Sequence, residues 1–517
     1  MAPTGTPVPS VTRRWQCSAE GLQSSVIHIQ LKFSRVFADF SHSYAALPGQ
    51  FHAHVPPTAV AAPALIAFND ALAAELGVDV RGLDDAELAA ICTGSKVPPG
   101  AFPLAMAYAG HQFGSFVPQL GDGRALLIGE VVDRLGRRRD LQWKGAGPTP
   151  FSRRGDGRAA LGPVLREYLV SEAMHALGLP TTRALAAATT GERVLRDDGP
   201  LPGGVLIRVA ASHVRIGTFE YFAARGDVDG VRTLADYVIE RHYPALRERP
   251  DRHFALLEAV AERQSSLVAR WMQVGFIHGV MNTDNMTVSG ETIDFGPCAF
   301  MDEYDPATVF SYIDRRGRYA YGNQPYVLQW NLARLGETLL PLIDTDQGLA
   351  IERATAAVQS VPELFAAHWL AGFRLKLGLV AAEPGDQQLI QDLLDLMHAE
   401  HADFTNVFRA LADIEDGSTA LAPSFDAWIP RWKERAAREP AMTVSRAAAL
   451  RAANPAYVPR NHRIEEVIAT AVEHGNFRPF HELHAVLSRP YDEQADRLDY
   501  RAPPLPHERV RNTFCGT

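Results

Sequence analysis

The stretch Gly275–Pro297 reads GFIHGVMNTDNMTVSGETIDFGP. It contains a histidine, then the pair Asp284-Asn285, and then a DFG run that begins at Asp294. Carboxylate and amide oxygens suit a magnesium ion beside a nucleotide triphosphate, because magnesium prefers oxygen ligands and keeps phosphate oxygens in its remaining positions. We expect a short β-hairpin-like segment between Asn285 and Asp294. The stretch therefore predicts a nucleotide and metal site with these two residues as candidate ligands.

Upstream, the segment from Phe116 to Lys144 combines glycine turns with strand patterns. It predicts a strand, a Gly-Asp-Gly-Arg turn at residues 121–124, a second strand, a turn near Gly136 and a third strand that ends on Lys144. Glycines let backbone N–H groups approach phosphate oxygens, and a lysine adds a compact positive charge beside them. The order of these parts indicates a phosphate-covering arrangement.

The segment GPVLREYLVSEAMHALG predicts a helix, with Pro163 in its first turn and Gly178 at its end. Two of its carboxylates, Glu167 and Glu172, are available to pair with Lys144. Such a pair would position the lysine for phosphate. The residues alone leave the choice between the two glutamates open.

Further segments complete the pattern. Arg208 and Arg215 lie in one short segment, and arginine forks match phosphate oxygens, so both are candidate phosphate clamps. Apolar spacing predicts a helix from Leu65 to Leu76 and another from His253 to Val274. From about Gln324 onward the chain reads as mostly helical.

Composition excludes several classes of protein. The chain has 517 residues, a formal net charge of -9 and four cysteines without CxxC spacing. These values argue against a general nucleic-acid binder, a disulfide framework and a zinc site. No apolar run is long enough to span a bilayer and no signal peptide is visible, so we expect a cytoplasmic protein without a membrane partner. Residues 1–32 predict a disordered tail whose basic character makes mitochondrial residence the alternative.

The succession of glycine turn, strand lysine, helix glutamate, long helix, HG loop and DFG resembles the protein-kinase fold. We therefore expect an α/β (α+β) two-lobed fold: an N-terminal extension and N-lobe over residues 33–217, then a mostly helical C-lobe with a C-terminal extension over residues 218–517. One departure matters. The position of the kinase base, two residues after His278, is occupied by Val280, which cannot accept a proton. Asp284 is an additional acid directly before Asn285.

Several long motifs make the resemblance specific. They are QLGDGRALLIGE, QWKGAGPTPFSRRGDGRAALGP, LREYLVSEAMHALGLPTTRAL, YVIERHYP, HGVMNTDNM and IDFGPCAFMDEYDP. In this order they resemble the selenoprotein O (YdiU) family of kinase-like protein adenylyltransferases, from about Phe33 to the C-terminus. The resemblance implies transfer of AMP from ATP to a Ser, Thr or Tyr hydroxyl of a protein, with pyrophosphate leaving. It also implies that ATP binds in a reversed orientation relative to kinases, with magnesium as the metal and manganese as the alternative.

The resemblance assigns roles residue by residue. It implies that Asp284 is the proton acceptor, that Glu167 rather than Glu172 pairs with Lys144, and that Asn285 and Asp294 bind the metal. The nucleotide contacts it implies are Gly121, Gly123, Arg124, Lys144, Asp156, Gly157, Arg208, Arg215 and Asp294. A redox-active Cys515, bridged to Cys298, is a further hypothesis from the same source.

Two other functions are weighed against adenylylation. HG loops with Asn and Asp-Phe also occur in aminoglycoside-kinase-like proteins, so a small-molecule phosphotransferase is one alternative, which Val280 disfavours. A non-catalytic ATP-binding pseudokinase scaffold is the other, and Lys144, Asn285 and Asp294 disfavour it. A monomer is the favoured oligomeric state.

Overall fold

Strand segments concentrate in the first half of the chain and helices in the second. The computed structural model describes residues 37–197, 199–440 and 443–514. The predicted tail at residues 1–32 and Cys515 lie outside these ranges. The strands are β1 (His52–His54), β2 (Ala64–Phe68), β3 (Leu104–Met106), β4 (Gly110–Gln112), β5 (Ser115–Val117), β6 (Ala125–Val132), β7 (Arg138–Lys144), β8 (Ala159–Ala160), β9 (Arg183–Arg196), β10 (Gly199–Ala210), β11 (Phe276–Ile277) and β12 (Ala299–Phe300).

The helices follow the same numbering along the chain. They are α1 (Asp70–Leu76), α2 (Asp85–Cys92), α3 (Leu161–Ala176), α4 (Ile216–Ala223), α5 (Val228–His242), α6 (Arg252–Gln273), α7 (Gln324–Ile343), α8 (Gln347–Gln359), α9 (Val361–Lys376), α10 (Asp386–Ala399), α11 (Phe404–Glu415), α12 (Trp428–Ala436), α13 (Arg446–Ala453), α14 (Asn461–His474) and α15 (Arg478–Leu487). The α+β class is confirmed, and the helical second half is consistent with the expected kinase-like arrangement.

Eight strands of the described chain form one antiparallel sheet in the order β1-β3-β6-β7-β10-β9-β2, with β8 paired to β10. The strands predicted after the first glycine turn and up to Lys144 are β6 and β7, and they pair with each other. Lys144 is opposite Leu206 of β10, and Arg208 lies two residues further along that strand. Because alternate residues of a strand share a face, Lys144 and Arg208 lie on the same side of the sheet.

Apolar side chains cover both faces of the sheet. One face packs against α3, where Leu165 and Leu169 are buried together with Leu206 of β10. The other face packs against α1 and α2, and Trp143 of β7 is buried there with its indole N–H donating to the Ile91 carbonyl over 2.9 Å. The sheet is thus held between two apolar layers, which makes its lysine-bearing end a rigid base for a site.

The second half of the described chain packs around α6. This helix, predicted over His253–Val274, spans Arg252–Gln273 and contacts α7 and α9. It leads directly into the stretch 275–297, whose first strand, β11, pairs with β12 just beyond Pro297. This strand pair closes the stretch at its base.

Two predictions about local structure are wrong in part. The helix expected over Leu65–Leu76 begins only at Asp70, since Asn69 caps it by accepting from the backbone N–H of Leu72. The residues before it form strand β2, because pairing with β9 outweighs their helical spacing.

The hairpin-like segment expected between Asn285 and Asp294 does not pair with itself. Thr287 forms a bridge with Arg215, and Thr292 forms a bridge with Thr181. Within the segment the Thr287 hydroxyl bonds to the Glu291 backbone, while the β-bridges run to elements that are distant in sequence.

Candidate active site

A cavity of about 1080 Å³ lies at the lysine-bearing end of the sheet, a volume just above the usual range for ligand sites. The glycine turn at residues 121–124, a second glycine turn at residues 151–158, β7, α3, β10 and the stretch 275–297 line it. Every predicted catalytic, nucleotide or metal residue lines this one cavity: Gly121, Gly123, Arg124, Lys144, Asp156, Gly157, Glu167, Arg208, Arg215, Asp284, Asn285 and Asp294. Residues that range from position 121 to position 294 of the sequence thus form one site. We call it the central cavity.

The two glycine turns pack against each other in the cavity wall. Gly121 has a φ of 68°, and a Cβ there would come within 2.3 Å of the Phe151 ring. A Cβ on Gly123 would lie 3.0 Å from the Phe151 carbonyl oxygen. Gly157 has a φ of 65°, and its Cβ would overlap the backbone of Gly147 at 2.1 Å. Gly121 and Gly157 therefore admit no side chain, and the contact at Gly123 disfavours one, so the backbone of both turns can approach a ligand closely.

Three cations converge on two carboxylates in the cavity. Lys144 Nζ lies 2.5 Å from Glu167 Oε2 and 2.6 Å from Asp294 Oδ1. Arg208 Nη1 lies 2.7 Å from Asp294 Oδ1 and 3.2 Å from Glu167 Oε1. Arg215 Nη1 lies 3.4 Å from Asp294 Oδ2. The cluster has three positive side chains and two carboxylates, and this excess of positive charge favours an anionic ligand beside it.

The pairing of Lys144 is specific to one of the two glutamates. Glu167 makes the contact, whereas Glu172 accepts from the Arg183 guanidinium at 2.8 and 2.7 Å. Glu172 also accepts from the Asn69 side chain over 2.8 Å. The two glutamates therefore face different neighbours along the buried helix α3, and only Glu167 reaches the cavity.

Asp294 is held in an unusual backbone conformation. Its φ of 64° lies in the left-handed region, where residues other than glycine are uncommon. Burial by itself would raise its pKa, but Arg208, Lys144 and Arg215 outweigh that effect, and the pKa of Asp294 lies well below its usual value. The carboxylate is therefore ionised, as a metal ligand must be.

Asp284 lines the cavity and has one buried carboxylate oxygen without a partner in the described part of the chain. Among the described residues its Oδ1 has no hydrogen-bond partner, and its Oδ2 accepts from the Gln112 amide over 3.3 Å. Burial raises the pKa of Asp284 to about 6. An unsatisfied buried carboxylate oxygen costs free energy unless a ligand pairs with it.

The residues next to Asp284 fit a hard cation. The Asn285 side-chain N–H donates to the Val280 carbonyl over 2.9 Å, so its amide oxygen is the atom left to bind an ion. With Asp294 and the unpartnered oxygen of Asp284, the site supplies oxygen donors only, which suits magnesium. Within the described ranges no three His, Cys, Asp or Glu side chains are arranged to hold a metal by themselves. A cation here would complete its shell with phosphate or water oxygens.

A short hairpin, formed by β4 and β5 over residues 110–117, covers the loop that carries Asp284. A Cβ on Gly110 would lie 2.5 Å from Asp284 Oδ1. The backbone N–H of His111 donates to Thr283 Oγ1 over 2.7 Å, and that of Phe113 donates to Asn282 Oδ1 over 3.0 Å. The hairpin thus fixes the loop from outside the helical half.

Sequence reasoning missed this hairpin and the residues that support it. His111, Gln112 and Glu220 were not among the predicted site residues, since the strands are short and lie far from Asp284 in sequence. Asp122, within the predicted turn, was also missed as a buried acid: burial raises its pKa to about 6. The one available signal was the Phe113-Gly114 pair, a turn-like dipeptide between two short patterns.

The predicted cysteine pair cannot be compared with the structure, because Cys515 lies outside the described residues. Cys298 is buried directly after Pro297. The disulfide stays a prediction. Among the helices that the structure describes, none combines the length and apolar character that crossing a bilayer requires.

The chain is similar to known proteins over most of its length. The profile of the family described as "Protein adenylyltransferase SelO" matches residues 34–488. A relative named "Protein nucleotidyltransferase YdiU" from Rhizobium etli (strain CIAT 652) is 63% identical over 494 residues, covering 94% of this chain and 98% of the relative. A relative of the same name from Bradyrhizobium sp. (strain BTAi1) is 61% identical over 489 residues, with 92% and 99% covered. A third, from Agrobacterium fabrum, is 60% identical over 485 residues, also with 92% and 99% covered.

Proposed function

This chain belongs to the protein adenylyltransferase SelO family and is a nucleotidyltransferase, and we propose that it transfers AMP from ATP to Ser, Thr or Tyr hydroxyls of proteins. The observation that carries the proposal is the pairing of two features in one cavity. Lys144, Arg208 and Arg215 converge on Asp294, and Asp284 beside them has a buried oxygen without a partner. The three cations can bind a polyphosphate, and the Asp284 carboxylate can accept a proton or bind a cation.

In the proposed reaction the acceptor hydroxyl oxygen attacks the α-phosphorus of ATP. A bond forms between that oxygen and the α-phosphorus, and the bond from the α-phosphorus to the bridging oxygen of the β-phosphate breaks. Pyrophosphate leaves with the electron pair of the broken bond. The hydroxyl proton passes to the carboxylate of Asp284, which is the acid nearest in sequence to the kinase base position that Val280 occupies.

Negative charge grows on the leaving pyrophosphate during this step. Lys144, Arg208 and Arg215 are the cations available to stabilise it, since all three line the central cavity. Glu167 holds Lys144 in place through its 2.5 Å contact. A magnesium ion on Asn285 and Asp294 would supply further charge neutralisation of the phosphates when bound.

The two alternative functions predict different labelling. A small-molecule phosphotransferase would move the γ-phosphate, and a scaffold would move neither. Val280 disfavours the phosphotransferase, because the described loop offers no acid at that position. The buried carboxylate oxygen of Asp284, which has no partner among the described residues, disfavours the scaffold, since an inert binding site has no need of such a group.

One experiment separates the three. The full chain is incubated with a protein acceptor and with ATP labelled at the α or at the γ phosphate. We expect protein-bound label from α-labelled ATP alone, and its loss in Asp294→Ala. The surface variant Asp426→Ala, on an exposed residue away from the cavity, is the matched control. Label from the γ position would overturn the proposal, and so would full activity of Asp294→Ala.

A further inference from the structure

An exposed apolar surface lies at the mouth of the central cavity. Tyr312, Ile313 and Phe514 are 50%, 60% and 61% exposed. The rings of Tyr312 and Phe514 lie 5.0 Å apart, and Ile313 lines the cavity. Single exposed apolar residues are ordinary on a protein surface, but a contiguous group beside a binding site indicates an interaction surface. We call these three residues the mouth patch.

The mouth patch is held in place by buried contacts. Thr513, next to Phe514, is buried, and its hydroxyl donates to the Pro297 carbonyl over 2.6 Å. Its backbone N–H donates to the Phe310 carbonyl over 2.8 Å, and its carbonyl accepts from Tyr312 over 3.2 Å. Pro297 directly follows the DFG run that contains Asp294. The patch is therefore fixed to the segment that carries the metal ligand, although its own side chains face solvent.

Two arginines continue this surface. Arg315 and Arg316 are exposed, and within the described ranges neither makes an ion pair with a carboxylate. Neither lines the central cavity. The loop that carries them is ordered, since the buried Asp314 carboxylate accepts from the backbone N–H groups of Arg318 and Tyr319 at 2.9 and 2.7 Å. Unneutralised positive charge here is notable in a chain with a net charge of -9.

We propose that the mouth patch together with Arg315 and Arg316 is the docking surface for the acceptor protein. The surface takes an extended segment that carries acidic side chains and an aliphatic or aromatic side chain beside the target hydroxyl. The acidic groups pair with the two arginines, and the apolar group packs on Ile313 and the Tyr312 ring. This inference rests on the proposed function, and it adds the chemical class of segment that the enzyme accepts.

Position separates this surface from the nucleotide contacts. The arginines that converge on Asp294 are buried in the cavity, whereas Arg315 and Arg316 are outside its lining. A ligand that touches both the mouth patch and the cavity must enter from solvent and extend inward through Ile313, as a protein segment with a reactive hydroxyl does. An anionic membrane would contact the same arginines and aromatic rings, but a flat lipid surface does not extend into the cavity to contact its lining.

The test uses the full chain and two fluorescent peptides, each with one serine next to leucine. One peptide has flanking glutamates and the other has flanking lysines. We expect the wild type to bind the glutamate peptide about tenfold more tightly than the lysine peptide. The double variant Arg315→Glu/Arg316→Glu should reverse that preference, an outcome that misfolding cannot produce. Arg232→Glu, on an exposed arginine of α5, is the matched charge control.

The apolar part has its own variant. Ile313→Ser should weaken binding of the glutamate peptide about tenfold while that peptide stays preferred over the lysine peptide, because the change removes one apolar contact and leaves both arginines in place. Leu375→Ser, on a comparably exposed leucine of α9, is the control and should bind as the wild type does.

Three outcomes would overturn the docking surface. These are equal binding of both peptides, a preference for glutamate that survives in the double variant, and binding to phosphatidylserine vesicles without any peptide preference. Peptide binding is read without turnover. Intact charge selectivity without AMP transfer would therefore overturn the proposed function alone.

Discussion

Glu220 Oε1 on helix α4 lies 2.5 Å from His111 Nδ1 on strand β4. The other oxygen of the same carboxylate accepts from the Thr283 hydroxyl over 2.5 Å. Thr283 directly precedes Asp284, so one buried carboxylate joins the helix, the β4–β5 hairpin and the loop that carries the proposed proton acceptor. Burial raises the pKa of Glu220, while Thr283 and His111 act in the opposite direction.

Glu220 should therefore position Asp284 without touching the substrate. We expect Glu220→Ala to lower kcat on the order of tenfold to 100-fold, since small displacements of reacting groups carry such costs. The KM for ATP should change little, and Glu220→Gln, which keeps an oxygen acceptor for Thr283, should recover most of the rate. The measurement is steady-state AMP transfer with α-labelled ATP. A fall in ATP affinity equal to the fall in kcat would contradict a positioning role.

Gly110 limits the space around Asp284 more directly. A methyl group at this position would lie 2.5 Å from Asp284 Oδ1, so Gly110→Ala should displace the carboxylate. We expect AMP transfer to fall about 100-fold while nucleotide binding measured by calorimetry persists. Gly49→Ala is the matched control, because a Cβ at Gly49 meets no atom within 4 Å. Full activity of Gly110→Ala would show that the hairpin moves to accommodate the methyl group and that Asp284 stays in place.

Lys144 should serve the leaving group. Lys144→Ala removes a cation that lies 2.6 Å from Asp294, and we expect AMP transfer to fall about 100-fold, as for other groups that stabilise developing charge. The exposed Lys433 of α12 offers the control Lys433→Ala, which should retain wild-type activity. Comparable losses in both variants would mean that overall charge matters rather than the site.

Removal of divalent metal should abolish AMP transfer. Asn285 and Asp294 supply too few oxygen donors to complete a magnesium shell, so the ion should bind tightly only together with ATP. We expect a chelator to stop the reaction and magnesium or manganese to restore it, with a higher metal concentration needed for half-maximal rate in Asn285→Ala. Transfer that continues at the same rate in excess chelator would exclude a metal role.

Lys376 is expected to make stability depend on pH. It is buried against the rings of Phe404 and Phe408, at 5.5 and 4.2 Å, and burial lowers its pKa from 10.5 to about 7. The unfolded chain then binds the proton more tightly than the folded chain between these values. The stability cost of Lys376 is complete below about pH 7 and disappears as the pH rises towards 10.5.

Lys376→Met should therefore stabilise the protein most at pH 7 and below. The advantage over the wild type should shrink by up to about 1.4 kcal/mol per pH unit as the pH rises from 7 to 10. Urea denaturation of both proteins across this range measures the difference. A constant difference at all pH values would mean that Lys376 keeps its ordinary pKa in the folded state.

The sequence predicted the site correctly where the functional residues belong to contiguous sequence patterns. The glycine turns, the strand that ends on Lys144, helix α3 and the DFG run are contiguous patterns, and all of their predicted site residues line one cavity. Lys144 contacts Glu167 and not Glu172, a choice that the residues alone left open and the family resemblance anticipated.

The same local patterns failed where pairing partners lie far away. Residues 65–69 have helical spacing, but β2 forms there because β9 supplies a strand to pair with. The segment after Asn285 looked able to pair with itself, yet it bridges to Arg215 and Thr181. Long-range hydrogen bonds decided both cases.

By itself the sequence determined the chemistry available to this protein: an acid beside an amide, a DFG run, a strand lysine, and a valine where a kinase has its base. Only the tertiary structure decided how that chemistry is held. It brought His111, Gln112 and Glu220 onto the loop of Asp284, and it fixed Thr513 against Pro297. The physical reason is that residue types follow from local composition, whereas burial and an unpartnered oxygen exist only once distant segments have packed together.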